Sequence, residues 1–167
     1  GLLGEQEEGE VIALGKGLAS YAPLDLRVNT LKMKRDDALV QLQDSGIACE
    51  PTPYSPIGIR LKGKPALARH PLFVGGDIEV QDEGSQLLGL LTGARRGEMV
   101  VDFCAGAGGK TLLLGAQMAS TGRLYAFDIS EKRLANLKPR LARSGLSNVN
   151  STLIAHENDT KVKRLAG

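Results

Sequence analysis

The chain has 167 residues, an apolar content of 42% and a formal net charge of only +2. That length carries one ordinary domain, or a small domain joined to part of a larger one, and the apolar share excludes wholesale disorder. Aromatic residues make up 4% with no tryptophan, so base-stacking platforms are not prominent.

Residues 1–20 are Gly- and Glu-rich and read as a tail or loose helix. Residues 26–31 (LRVNTL) read as a short strand, and 35–45 as a helix from the spacing of Ala38, Leu39 and Leu42, stopped by Gly46. Residues 51–58 hold Pro51, Pro53, Pro56 and Gly58 and read as loop, 59–61 as a brief strand, and 65–69 as a helical turn. A change near Gly75-Gly76 sets the expected boundary between a small α+β domain at 21–75 and a second domain at 76–167. The second opens on an acidic segment that runs into a helix around QLLGLL.

From residue 99 the pattern becomes regular. The compact apolar run 99–103 reads as a buried strand, 110–118 as a helix after a glycine loop, and 124–127 as a second strand. Residues 130–144 read as a helix with Ser130 as N-cap and Gly145 as terminator, and 149–154 as a third strand. Strand, helix, strand, helix, strand is the grammar of a parallel α/β sheet, here about half of one.

Several functional classes are excluded or disfavoured. Cys49 and Cys104 have no CxxC partner, so neither a disulfide framework nor a zinc site is indicated, and a reducing cytoplasm is the natural compartment. The N-terminus lacks the basic region of a signal peptide, and no apolar run reaches the roughly 18–20 residues that span a bilayer. Basic residues outnumber acidic ones eight to five in 21–75 and ten to five in 101–167, a distribution that suits a polyanion. Lys132, Arg140 and Arg143, at spacings of eight and three on one helix, read as a solvated face.

The sharpest feature is the loop Val101-Asp102-Phe103-Cys104-Ala105-Gly106-Ala107-Gly108-Gly109-Lys110-Thr111. Its three glycines permit a tight turn and close ligand approach, and the helix beyond it offers unpaired N–H groups. Three ligands use such geometry. For a nucleoside triphosphate, Gly109-Lys110-Thr111 fits the end of a P-loop, but Cys104 stands where the first glycine belongs. For a dinucleotide, Thr111 stands where the third glycine of GxGxxG belongs. For S-adenosylmethionine, Asp128, about 20 residues on at a strand end, is placed to accept ribose hydroxyls. These residues alone do not rank the three.

The string DFCAGAGGKT resembles the first motif of RNA cytosine-5 methyltransferases of the Sun/Fmu type, usually D-x-C-A-A-P-G-G-K-T. VQDEGSQLL at 80–88 and LRVNTLK at 26–32 resemble the same family in the same order, so that the likeness covers roughly residues 20–167. It implies a Rossmann-like S-adenosylmethionine-dependent methyltransferase domain, present here in part, preceded by a small α+β domain that helps hold RNA, with rRNA the expected target. By position, Cys104, Ala105, Gly106, Ala107, Gly108, Gly109 and Lys110 would form the cofactor loop, with Lys110 near the methionine carboxylate. Asp128 would take the ribose, Arg133 would stand beside it, and Asp159 would meet the adenine amino group, with Glu157 and Asn158 competing for that role. Arg27, Lys32, Lys34 and Arg35 would face RNA. Gly106 and Ala107 replace the family's alanine and proline, which should loosen the loop. The family's nucleophilic cysteine and second, product-releasing cysteine lie on later loops that this sequence does not reach. The chain alone is therefore expected not to methylate RNA, and it carries no metal site. A non-catalytic RNA- or cofactor-binding module and a P-loop nucleotidase are the alternatives.

Overall fold

The structure, a computed structural model, describes residues 23–103, 105–106 and 108–166. The expected tail at 1–20 lies outside the described residues, as do Cys104 and Ala107.

Strand β1 (Leu24–Val28) is central to an antiparallel sheet, flanked by β3 (Gly58–Leu61) and β4 (Ile78–Val80), with β2 (Cys49–Pro51) outside β3. Helix α1 (Arg35–Asp44) lays Ala38, Leu39 and Leu42 over Leu26, Val28, Ile59 and Ile78. The alternation of β1 predicts one wet face. Instead both faces are covered: Asp25, Arg27 and Glu79, on the side opposite the apolar core, are all buried. Asp25 takes a two-pronged contact from Arg60, its cross-strand partner, at 2.9 and 3.1 Å.

Short elements depart most from expectation. β1 ends before residue 31 because Asn29 turns the chain: its Oδ1 accepts from the N–H of Leu31 and its carbonyl from that of Lys32. The turn expected at 65–69 is confined to its end, where the His70 N–H bonds to Leu67 O, and helix α2 (Pro71–Val74) follows, since proline suits the first helical position and His70 Nδ1 caps the N–H of Leu72. β4 pairs with β1, so the antiparallel sheet includes residues beyond the expected boundary at 75/76.

The second sheet is parallel, in the order β5 (Met99–Asp102), β6 (Arg123–Asp128), β7 (Val149–Leu153). Helix α3 (Glu83–Leu91) leads into it and packs on α4 (Gly109–Gln117), which joins β5 to β6. Helix α5 (Glu131–Ser144) joins β6 to β7, capped by Ser130 at its start and Gly145 at its end. It buries Leu134 and Leu137 against Ala105, Leu112 and Ala126. A single turn, α6 (Thr160–Lys163), follows. β5 is not the buried strand expected: Met99 is 53% exposed, because among the described residues β5 is paired only with β6.

The two halves meet along a polar seam. Asn29 Nδ2 donates to the carbonyls of Gly76 and Ser144, Lys32 Nζ to those of Gly75 and Arg143, and the Arg143 guanidinium lies 4.7 Å over the Phe73 ring. Gly76, at φ +73°, is required here: a Cβ would collide with the Arg143 carbonyl. Arg140 and Arg143 are thus not part of a solvated face, since both reach Glu79 on β4.

Candidate functional site

The site lies where β5 and β6 end side by side. Ala105 N–H donates to the Phe127 carbonyl (3.1 Å), tying the glycine loop to β6, and Gly108 N–H closes a turn on Ala105 O (2.9 Å). Gly108 sits at the N-cap of α4 with φ +98°, and a Cβ there would run into the Leu137 side chain. Gly108→Ala is therefore expected to cost about 1–3 kcal/mol through backbone strain and overpacking, read as a lower urea midpoint at unchanged slope.

Asp128 closes β6 at 2% exposure. Its Oδ2 accepts the N–H of Gly106 and its Oδ1 that of Ser130, each at 2.8 Å, and Arg133 Nε stands 3.7 Å from Oδ1. Burial is the strongest single influence and pushes its carboxyl up. The N–H groups of Ser130 and Gly106, with the Arg133 guanidinium, outweigh it and hold the carboxyl below its ordinary range. Asp128 is thus an ionised acceptor with lone pairs to spare.

A cavity of about 220 Å³ opens at this carboxylate, walled by Phe103, Ile129, Ile154, His156, Glu157 and Arg133. A second, of about 290 Å³, runs along the loop between Ala105, Gly106, Gly108, Gly109 and Lys110 on one side and Gln81, Asp82, Ser85 and Arg140 on the other. A buried carboxylate acceptor beside the apolar Phe103, Ile129 and Ile154 fits a nucleoside: diol on Asp128, base between the aliphatic side chains.

Phosphate chemistry fits less well. In a P-loop the Thr hydroxyl after the lysine ligates Mg²⁺. Here Thr111 is fully buried and its hydroxyl donates to Asp102 Oδ2 at 2.8 Å. No cluster of metal-ligating side chains occurs among the described residues, and no described helix is long and apolar enough to cross a membrane.

Two family models match the chain. One, described as a Methyltr_RsmF/B-like ferredoxin-like domain, covers residues 8–68, and the other, described as 16S rRNA methyltransferase RsmB/F, covers residues 90–167. The chain belongs to the RsmB/F methyltransferase family. Its antiparallel sheet is the ferredoxin-like part and its parallel sheet the α/β methyltransferase fold.

Relatives agree. A 28S rRNA (cytosine-C(5))-methyltransferase of Mus musculus is 34% identical over 78% of this chain and 32% of its own length. Ribosomal RNA small subunit methyltransferase B of Photorhabdus laumondii is 37% identical over 72% of this chain and 28% of its own. The crystal structure of a methyltransferase homolog protein from Pyrococcus horikoshii superposes at a TM-score of 0.74, with 33% identity over 80% of this chain and 44% of that one. The chain thus spans about a third of the length of the curated RsmB/F relatives it matches.

Within this RsmB/F frame the residues expected at the site separate. Ala105, Gly106, Gly108, Gly109 and Lys110 line the loop cavity, and Asp128 and Arg133 the nucleoside-sized one. Asp159 is not among the lining residues. Its Oδ2 accepts the N–H of Ala155 and its Oδ1 that of Lys161, which hold its carboxyl low, and the competitor Glu157 lines the cavity with His156. Arg27 does not face solvent. At 1% exposure it donates to Gln81 Oε1, and burial lowers its pKa to about 10, with Glu79 opposing that shift and Arg140 adding to it. Lys32 is exposed but spends its ammonium on the seam carbonyls. Arg35 Nη1 donates to Ser55 O, and Lys34 is exposed. Ile129, Ile154 and Phe103 went unread as site residues, although residue 129 directly follows the strand-end acid and alternates outward from it.

Proposed function

We propose that this chain binds S-adenosylmethionine across the two cavities, and that the full-length protein uses it to methylate C5 of cytosine in RNA, namely rRNA. The observation that carries the reading is the ionised, buried Asp128 at the mouth of an apolar nucleoside-sized cavity beside a glycine-lined cleft. Asp128 would accept the ribose hydroxyls, Ile129 and Ile154 would flank the adenine, and Lys110 would face the methionine carboxylate across backbone that no Cβ obstructs at Gly106, Gly108 and Gly109. Bound there, the cofactor supplies an electrophilic methyl group. The names of the relatives support RNA cytosine as the acceptor.

The described residues supply no nucleophile for the attack on C6. Cys49 is buried under Leu39 and burial raises its thiol further from ionisation. In this reading the chain contributes cofactor binding, and a relative that acts on small-subunit ribosomal RNA supports a cytoplasmic protein.

Calorimetric titration tests the reading. S-adenosylmethionine is expected to bind saturably at one site, ATP and NAD not at all, and labelled methyl transfer to rRNA by this chain to stay at background. Binding of ATP in place of S-adenosylmethionine would reverse the assignment.

A further inference from the structure

We propose that the Tyr54 ring is a stacking platform for an unpaired base of the RNA strand that approaches the glycine-loop cavity. An exposed aromatic is unremarkable by itself. Tyr54 differs in how its backbone is held. It is 76% exposed, yet it sits between Pro53 and Pro56 on a loop whose next residue, Ser55, is 1% exposed. The Glu83 carboxylate, itself buried, accepts the N–H of Tyr54 at 2.8 Å and of Ser55 at 3.0 Å. The Ser55 carbonyl accepts from Thr52 Oγ1 and Arg35 Nη1, and the Ser55 hydroxyl bonds to Gln86 Oε1. The loop is thus nailed to α3 and α1 while the ring projects outward, with no ring–ring or cation–π contact recorded for it among the described residues.

A ring carried on a backbone fixed in this way is pre-organised in position, so a ligand that stacks on it avoids the cost of ordering the loop. Its place on the molecule selects the ligand. Glu83 directly follows Asp82, which lines the glycine-loop cavity, so the platform and the cavity share the first turn of α3. The inference rests on the proposed RNA substrate: a strand presenting one base at the cavity carries its neighbours over this surface. Lys34 is exposed at the nearby start of α1, but Asp36 and Asp37 follow it. Attraction here therefore depends on the π-face more than on charge, and a nucleobase supplies the matching face whatever its identity.

The test is binding of the full chain to a fluorescein-labelled single-stranded oligoribonucleotide of roughly 12 nucleotides, within the usual site size of a single-strand binder. Tyr54→Ala is expected to weaken binding about 5- to 150-fold, the range that loss of one base–aromatic stack gives. Tyr54→Phe should bind like the wild type, and both variants should keep the wild-type thermal midpoint because the residue is 76% exposed. The ratio of wild-type to Tyr54→Ala affinity should hold steady between low and high salt, since stacking releases no counterions. Equal binding by Tyr54→Ala would overturn the platform while leaving the RNA reading intact, and would turn attention to a protein partner for this surface. Equal loss in Tyr54→Phe and Tyr54→Ala would overturn it too, because a hydroxyl contact would then carry the effect. Failure of the wild-type chain to bind the strand at all would remove both this inference and the RNA reading beneath it.

Discussion

Glu79→Ala is expected to lower the unfolding free energy by about 3–5 kcal/mol, the cost of removing one partner from a buried ion cluster. The carboxylate is 3% exposed and takes Arg140 Nε at 3.1 Å and both Nε and Nη2 of Arg143 at 3.0 Å. Across the sheet Glu79 stands in register with Arg27, which is buried as deeply. Glu79 is thus the shared acceptor of Arg140 and Arg143 and faces a third guanidinium, that of Arg27, between the antiparallel sheet and α5. Without it the cations repel one another where water screens poorly. The predicted loss is a large part of the 5–15 kcal/mol that ordinary domains possess. Glu79→Gln should lose less, since the amide oxygen still accepts one guanidinium while the charge is gone. Urea unfolding of both variants decides the matter. A loss below about 1 kcal/mol for the alanine variant would mean that the seam behaves as a surface ion pair.

This cluster also marks where sequence reading reaches its limit. The parallel half was legible because its signals are local. Ser130 caps α5, Gly145 ends it in the left-handed conformation, and the glycine loop sits between a strand and a helix as its spacing demands. Even Pro139, the ninth residue of α5, did not hide that helix, because the apolar spacing of Leu134, Leu137 and Leu141 persists across it. The antiparallel half was legible only in part. β2 and β4 are three residues each, and Glu50 and Glu79 at their centres argue against strand on propensity. Pairing to β3 and β1 overrides that preference. Arg27 misled because it alternates away from the apolar core and so reads as surface, and Glu79 faces it across the sheet. The cover over them comes from α5, more than fifty residues further along the chain than Glu79. At the site, Asp128 was legible from its strand-end position. The capping role of Asp159 was not, since it depends on the path of residues 155–161.

Asp128→Ala is expected to weaken S-adenosylmethionine binding about 10²- to 10⁴-fold. Two hydrogen bonds from ribose hydroxyls to a charged acceptor are at stake, each worth about 1.5–3 kcal/mol. The same carboxylate anchors the N–H groups of Gly106 and Ser130, so its removal also loosens the glycine loop and the start of α5. A fall in affinity could then come from a deformed loop rather than from a lost sugar contact. A cofactor analogue lacking the ribose 2′-hydroxyl separates the two. The wild type should prefer the natural cofactor over the analogue by about 10- to 150-fold, while Asp128→Ala should bind both alike, having no acceptor left to tell them apart. If the variant keeps the full preference for the hydroxyl, the sugar is held elsewhere, and Asp128 serves this site only by fixing the backbone of residues 106 and 130.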